Sequence, residues 1–238
     1  MAAPRTLFIV PAHNERQALP GVVADLREHA RGDVLVVNDG STDGTGDVAR
    51  GLGVQVLDLP VNLGIGGAVQ AGLLFAREHR YDVAVQFDGD GQHRADQVAL
   101  IVGPVGAGEA DVAIGSRFLG PSAYRAPLAR RVGIAVFAWV NSLVLRRRIT
   151  DSTSGFRAYN AAAIGFLARE YPHDYPEPEA VVTLARHGFT VREVPVSMRD
   201  RQGGRSSITL LRSIYYMLKV LIAIVVGATR QKRGRSLE

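Results

Sequence analysis

The run D-G-D-G-Q-H, from Asp88 to His93, places two carboxylates one residue apart at the end of an apolar stretch. Carboxylates so spaced can present oxygens to one hard divalent cation, Mg²⁺ or Mn²⁺, which keeps coordination positions for substrate phosphates. Asp88 and Asp90 are the candidate metal ligands, Gln92 offers a third oxygen, and His93 is a less favoured nitrogen. Glycines at 89 and 91 permit close approach of a phosphate. A solvated turn is the bland alternative for the same six residues. Three more polar clusters stand beside it: P-A-H-N-E (11–15), N-D-G-S-T-D-G-T (38–45) and N-L-G-I-G-G-A (62–68). The first two suit turns with a helix cap, and equally suit acceptor-rich loops that hydrogen-bond a nucleobase and ribose. The third opens a helix with glycines, as a phosphate-cradling turn does, but has neither a dinucleotide fingerprint nor a Walker lysine.

The elements that must position these clusters alternate in type. Strands are expected at 6–11, 34–38, 54–59, 82–88 and 111–116, with helices over 18–30, up to 52 and over 66–79. Apolar runs without polar alternation, separated by helical segments, indicate a mostly parallel, Rossmann-like α/β sheet with helices on both faces. Ligands of such sheets bind beyond the carboxyl ends of the strands. The polar clusters fall at those ends, and this coincidence carries the functional reading. The second half is less regular: a helix over 130–148, a loop around 171–178, a helix to 187 and a strand F-T-V-R-E-V-P-V. The uncharged stretch 132–145 is shorter than the ~18–20 residues that span a bilayer.

The 238 residues suit one large α/β domain over 1–207, followed by a helix at 208–230 and a basic tail at 231–238. On a helical period, Arg205, Thr209, Arg212, Tyr216, Lys219 and Arg230 fall in roughly one 60° sector, opposite an apolar face. Such an amphipathic helix is expected to lie in a membrane interface. A core or dimer helix with a solvated edge is the alternative, which leaves a homo-oligomer possible. The net charge of +5 gathers at Arg146 to Arg148, at Arg199, Arg201 and Arg205, and in the tail. That suits anionic partners. Nucleic acid is not expected, because no helix-turn-helix, zinc or RNA-sheet signature accompanies the charge. The absence of cysteine excludes disulfides and thiolate metal sites. No signal-peptide pattern precedes the first strand, so the expected location is cytoplasmic, peripheral on the inner face of the cell membrane.

Together these motifs resemble the family 2 glycosyltransferases of the GT-A fold, and more narrowly the dolichyl- and polyprenyl-phosphate sugar synthase branch. The resemblance spans about 6–208 and also rests on G-S-R-F (115–118), T-D-S-T-S-G-F-R (150–157) and R-Q-G-G-R-S-S (201–207). It implies that Pro11, Asn14, Glu15 and Asp39 line a nucleoside pocket, with Asn62 and Gly64 also at the nucleotide sugar. Asp88 and Asp90 would reach the metal and diphosphate with Gln92 nearby, and Arg117, Arg201 and Arg205 would face phosphates. Asp151 would sit near the reacting sugar, with Glu179 a second acidic candidate. The chain departs from the family where paired carboxylates usually follow the second strand (here Asn38-Asp39), where a lysine is common (Ile65), and where Ser-Lys is frequent (Ser206-Ser207). D-Y-P-E-P-E-A is likewise unlike the lipid-phosphate synthases.

The implied chemistry is a single inverting displacement in which a nucleoside diphosphate leaves. A hydroxyl acceptor, on a polysaccharide or natural product, needs Asp151 or Glu179 as general base. A polyprenyl phosphate is already ionised, and Arg117 and Arg131 would hold it. Two rivals are a sugar nucleotidyltransferase, whose glycine-rich loop and lysine after the first strand are missing, and an inactive peripheral membrane-binding protein.

Overall fold

Among the described residues seven strands join in one sheet in the order β3-β2-β1-β4-β6-β5-β7. The computed structural model describes residues 4–119, 135–136, 138–139, 141–143, 148–172 and 176–199. The strands are β1 (Thr6–Ala12), β2 (Asp33–Asp39), β3 (Gln55–Leu59), β4 (Val83–Gln86), β5 (Val112–Ser116), β6 (Arg157–Asn160) and β7 (Val191–Pro195). Neighbours pair in parallel except β6, which is antiparallel to both β4 and β5.

β1 is buried along its whole length, and the period of two in a strand divides it between two cores. Leu7 and Ile9 pack with α3 (Gly64–Glu78), α5 (Ala161–Leu167) and α6 (Pro176–Arg186). Phe8 and Val10 pack on the other face with α1 (Leu19–His29) and α4 (Val98–Gly106). A short α2 (Thr45–Gly51) joins β2 to β3. On α3, a Cβ at Gly72 would come within 2.3 Å of the Ile9 side chain. Glycine there allows the helix to lie directly on β1, which brings its first turn to the strand ends.

The first half follows the sequence pattern closely. The expected strand 82–88 is shortened to β4, yet the chain still tracks β1: Phe87 N donates to Ile9 O at 2.9 Å and Gly89 N to Pro11 O at 3.3 Å. α3 begins two residues earlier than expected, because side chains satisfy donors that a helix start leaves open. Gly64 N donates to Asn62 Oδ1 at 2.8 Å, and Leu63 N to Asp39 Oδ1 at 2.7 Å.

The second half departs more. The pattern assigns no strand to 157–160 and no helix to 98–106 or 161–167, yet all three form. Asn160 caps α5 by accepting from Ala163 N at 2.9 Å. α6 begins at Pro176, inside the segment read as a loop, since proline is well suited to a first helical turn. Most of the expected helix 130–148, the helix 208–230 and the tail 231–238 lie outside the described residues. Among the described residues no helix is long and apolar enough to cross a membrane.

Candidate active site

A cavity of about 530 Å³ opens at the carboxyl ends of β1, β2 and β4 and the first turn of α3. It is lined by Pro11, Asn14, Glu15, Asp39, Asn62, Gly64, Asp88 and Asp90, all singled out by the sequence, together with Ala12, His13, Ile65, Ala68 and Gly89. Its walls are laced to one another. Asn14, at φ 58°, accepts from Thr42 N at 2.9 Å through Oδ1, and its own N–H donates to Ser41 Oγ at 3.0 Å. Glu15 N donates to Thr45 Oγ1 at 3.0 Å, and His13 Nδ1 donates to Asp39 O at 2.7 Å. Asp39 thus ties the β1 and β2 loops to the start of α3. Asn38, by contrast, is not among the lining residues. Its Nδ2 donates to Asp58 Oδ1 at 2.7 Å, and Arg50 holds the same carboxylate at 2.6 Å. A carboxylate at position 38 would meet Asp58 there, which is a local reason for the amide.

Among the described residues the lining holds four carboxylates, Glu15, Asp39, Asp88 and Asp90, and no lysine or arginine. Among the described residues no group of three or more acidic, cysteine or histidine side chains is placed to hold a metal by itself. The donor set still fits Mg²⁺ or Mn²⁺, because such ions bind through one or two carboxylates and complete their shell with phosphate oxygens and water. The two carboxylates are held differently. Asp90 Oδ1 accepts from Gln92 N at 3.0 Å within its own turn. Asp88 lies with Oδ2 3.0 Å from His93 Nε2 and Oδ1 3.5 Å from Gln86 Nε2. Burial pushes the Asp88 carboxyl up, but His93, Gln86 and the Arg117 charge outweigh it and hold the group below the usual carboxylate range.

Asp151 and Arg117 sit together and are not among the described lining residues, although the Arg117 charge reaches Asp88. Asp151 is fully buried, and Arg117 donates to it through Nε at 2.6 Å, Nη2 at 2.7 Å and its backbone N at 3.1 Å. Thr153 Oγ1 bridges the pair, taking a bond from Arg117 Nη2 at 2.8 Å and donating to Asp151 Oδ1 at 3.1 Å. Behind it, Glu193 accepts from Thr150 N at 2.8 Å and Asp151 N at 2.7 Å. Burial raises the Glu193 carboxyl, and the nearby Asp151 charge adds to that against the opposing N–H bonds.

Glu179 is half-buried on the first turn of α6. Its neighbour Glu177 escapes the sequence reading. Burial raises the Glu177 carboxyl, and Asp88 is close enough for its charge to add to the rise. Arg157 also escapes it: fully buried, it donates to the carbonyls of Ser154 at 2.7 Å, Ser152 at 2.8 Å and Glu177 at 2.8 Å. It thereby binds the 152–154 loop to the start of α6. The two glutamates of P-E-P-E carry no pattern that separates them, whereas the arginine of S-G-F-R was in plain view without a role. Arg131, Arg201 and Arg205 lie outside the described residues.

Residues 7–164 match the model of glycosyl transferase family 2. The chain is 33% identical to polyprenol monophosphomannose synthase of Mycolicibacterium smegmatis, over 97% of this chain and 91% of that protein. It is 35% identical to undecaprenyl-phosphate mannosyltransferase of Micrococcus luteus, over 86% and 88%. Against UDP-N-acetylglucosamine–dolichyl-phosphate N-acetylglucosaminyltransferase of Methanococcus voltae it is 30% identical, over 82% and 86%. Among solved structures, glucosyl-3-phosphoglycerate synthase from Mycobacterium tuberculosis in complex with Mn²⁺ and UDP-glucose superimposes with a TM-score of 0.66 at 20% identity. That match covers 94% of this chain and 79% of that one, a likeness of fold.

Proposed function

The chain belongs to glycosyl transferase family 2, and on that premise we propose that it transfers a sugar, with inversion, from a nucleoside diphosphate to a polyprenyl phosphate. The observation that carries this reading is the cavity at the strand ends, to which the described residues bring four carboxylates, Glu15, Asp39, Asp88 and Asp90. Carboxylates facing a space that takes a diphosphate suit a divalent cation between the two. Pro11, Asn14, Glu15 and Asp39 are assigned to the nucleoside, and Asn62 and Gly64 to the nucleotide sugar. Asp88 and Asp90, with Gln92 beside them, would hold Mg²⁺ or Mn²⁺, which supplies Lewis-acid stabilisation of charge on the leaving diphosphate. Arg201 and Arg205 are assigned to donor phosphates. The sugar is oxocarbenium-like as the bond to the diphosphate breaks, and the acceptor oxygen enters from the opposite face.

The acceptor assignment draws on the names of the relatives and on the Asp151–Arg117 pair. A phosphate monoester is ionised near neutral pH, with a second pKa of about 6, and needs no base to attack. Asp151, enclosed by Arg117, is poorly placed to take a proton from a hydroxyl. Arg131 is then the arginine assigned to the acceptor phosphate, with Arg117 fixing Asp151 and Thr153. The segment 208–230 is assigned to the inner face of the cell membrane, where a lipid-linked acceptor resides. One observation favours a hydroxyl acceptor instead: Glu177, with its raised carboxyl near Asp88, has the character of a base.

The test is transfer from a panel of nucleotide sugars with Mn²⁺, with and without polyprenyl phosphate. The expected result is turnover of one donor, stimulated by the lipid and reduced ~10²-fold or more in Asp90→Ala. Lipid-independent transfer to a hydroxyl acceptor, lost in Glu177→Gln, would replace the phosphate reading. No donor consumed under any condition would overturn the assignment of activity and leave a membrane-binding role.

A further inference from the structure

His93 is packed more tightly than a metal ligand at an open site. It is 3% exposed, stacked on Phe156 with ring centroids 5.0 Å apart at 19°, and meets Phe87 edge-on at 5.5 Å and 69°. The two phenylalanines come from different places in the chain, one leaving β4 and the other entering β6, so the sheet itself sets the ring's orientation. Nε2 of that ring lies 3.0 Å from Asp88 Oδ2, an ion-pair distance, while both ring nitrogens are buried without a hydrogen-bond partner, so the carboxylate is the acceptor within reach. The other side of the carboxylate is enclosed as well. Gln86 Nε2 stands 3.5 Å from Oδ1, and a Cβ at Gly155 would come within 2.8 Å of Oδ2 and 3.0 Å of Oδ1. Asp88 is therefore flanked by His93, Gln86 and the Gly155 backbone before any ligand arrives. We propose that His93 is a positioning residue: it holds the Asp88 carboxylate in its metal-binding orientation and does not itself ligate the cation.

This rests on the assignment of Asp88 and Asp90 to a divalent ion, and it adds what makes the site ready. A ligand whose orientation is fixed beforehand loses no rotamer freedom on binding, and groups that orient metal ligands typically contribute 10–100-fold to metal affinity. The last residue of D-G-D-G-Q-H acts through the first, and Phe87 and Phe156 act through His93.

The test is Mn²⁺ binding to the full chain, read from loss of the free-ion electron paramagnetic resonance signal, alongside Tm. Wild type is expected to bind Mn²⁺, and Asp88→Ala and Asp90→Ala to abolish binding. His93→Phe, which keeps an aromatic ring in the slot, is expected to weaken binding ~10-fold or more, while His93→Gln, with an amide donor, recovers most of it. Phe156→Leu, which loosens the ring without touching Asp88, is expected to weaken binding less and serves if His93→Phe does not fold. Electron spin-echo spectra of bound Mn²⁺ are expected to lack the ¹⁴N coupling of a coordinated imidazole. If wild type binds and both aspartate variants do not, but His93→Phe and Phe156→Leu bind like wild type, the positioning role is wrong and the metal assignment stands. A coordinated imidazole signal overturns it equally. Absence of Mn²⁺ binding that depends on Asp90 removes the metal assignment and this inference together.

Discussion

The strand-end cavity and the Arg117–Asp151 pair are both built from charged residues, and they use charge in opposite ways. In the cavity the described residues bring four carboxylates to one space, with no lysine or arginine among the described lining residues, an arrangement suited to a cationic ligand. Around Asp151 the charges neutralise each other, out of water, through a bidentate contact and a bridging threonine. The first arrangement suits binding and the second suits holding the fold. A pair of opposite charges is no sign of catalysis, and a cluster of one sign along a cavity is a better guide to where a ligand goes.

The largest effect that would break this comparison is on stability. Removing one partner of a buried ion pair leaves the other charge without compensation, at a cost of ~3–5 kcal/mol. Asp151→Ala is therefore expected to lower Tm by on the order of 10 °C for a chain of this size, measured by differential scanning calorimetry. An unchanged Tm with lost turnover would move Asp151 into the reacting site. Gly155→Ala is expected to act on the other region. Its Cβ would press on the Asp88 carboxylate, so the Mn²⁺ concentration for half-maximal turnover should rise ~10-fold or more with a smaller change in Tm. A fall in Tm comparable with that of Asp151→Ala would show that the cavity also holds the fold.

The smallest expected effect is on pH dependence. The Glu177 carboxyl is raised above its ordinary value of 4.5 in the folded chain, chiefly by burial. The folded state then binds more protons than the unfolded state, so stability falls as pH rises from the unfolded value through the folded one. Glu177→Gln removes that penalty. It is expected to raise Tm at neutral pH, with the gain shrinking to nothing as the solution is acidified below about 4.5. A gain that persists in acid would trace to packing instead of charge.

What the sequence makes legible follows the same division. The cavity is built from loops that directly follow apolar runs, so motif and element coincide, and Pro11, Asn14, Asp39 and Asp88 can be placed together from the pattern. The Arg117–Asp151 pair joins residues 34 positions apart, and neither residue carries a local sign of the other. β6 hides for a related reason: R-A-Y-N opens with an arginine, which reads as a surface residue, yet Arg157 is fully buried and bonded to three carbonyls. Charge satisfied by distant backbone leaves no periodicity to read. The short helices α4 and α5 pass unassigned because nine and seven residues give too few turns for a helical period to stand out.

The antiparallel strand also bears on how the chain is made. β4 is buried throughout and, on the side away from β1, pairs only with β6, whose residues emerge some seventy positions later. At ~5–20 residues per second, a chain being synthesised carries V-A-V-Q as an open, uncharged strand edge for several seconds. Fragments ending before Arg157 should therefore aggregate, and the ribosome-bound chain should need shielding at this edge until β6 arrives.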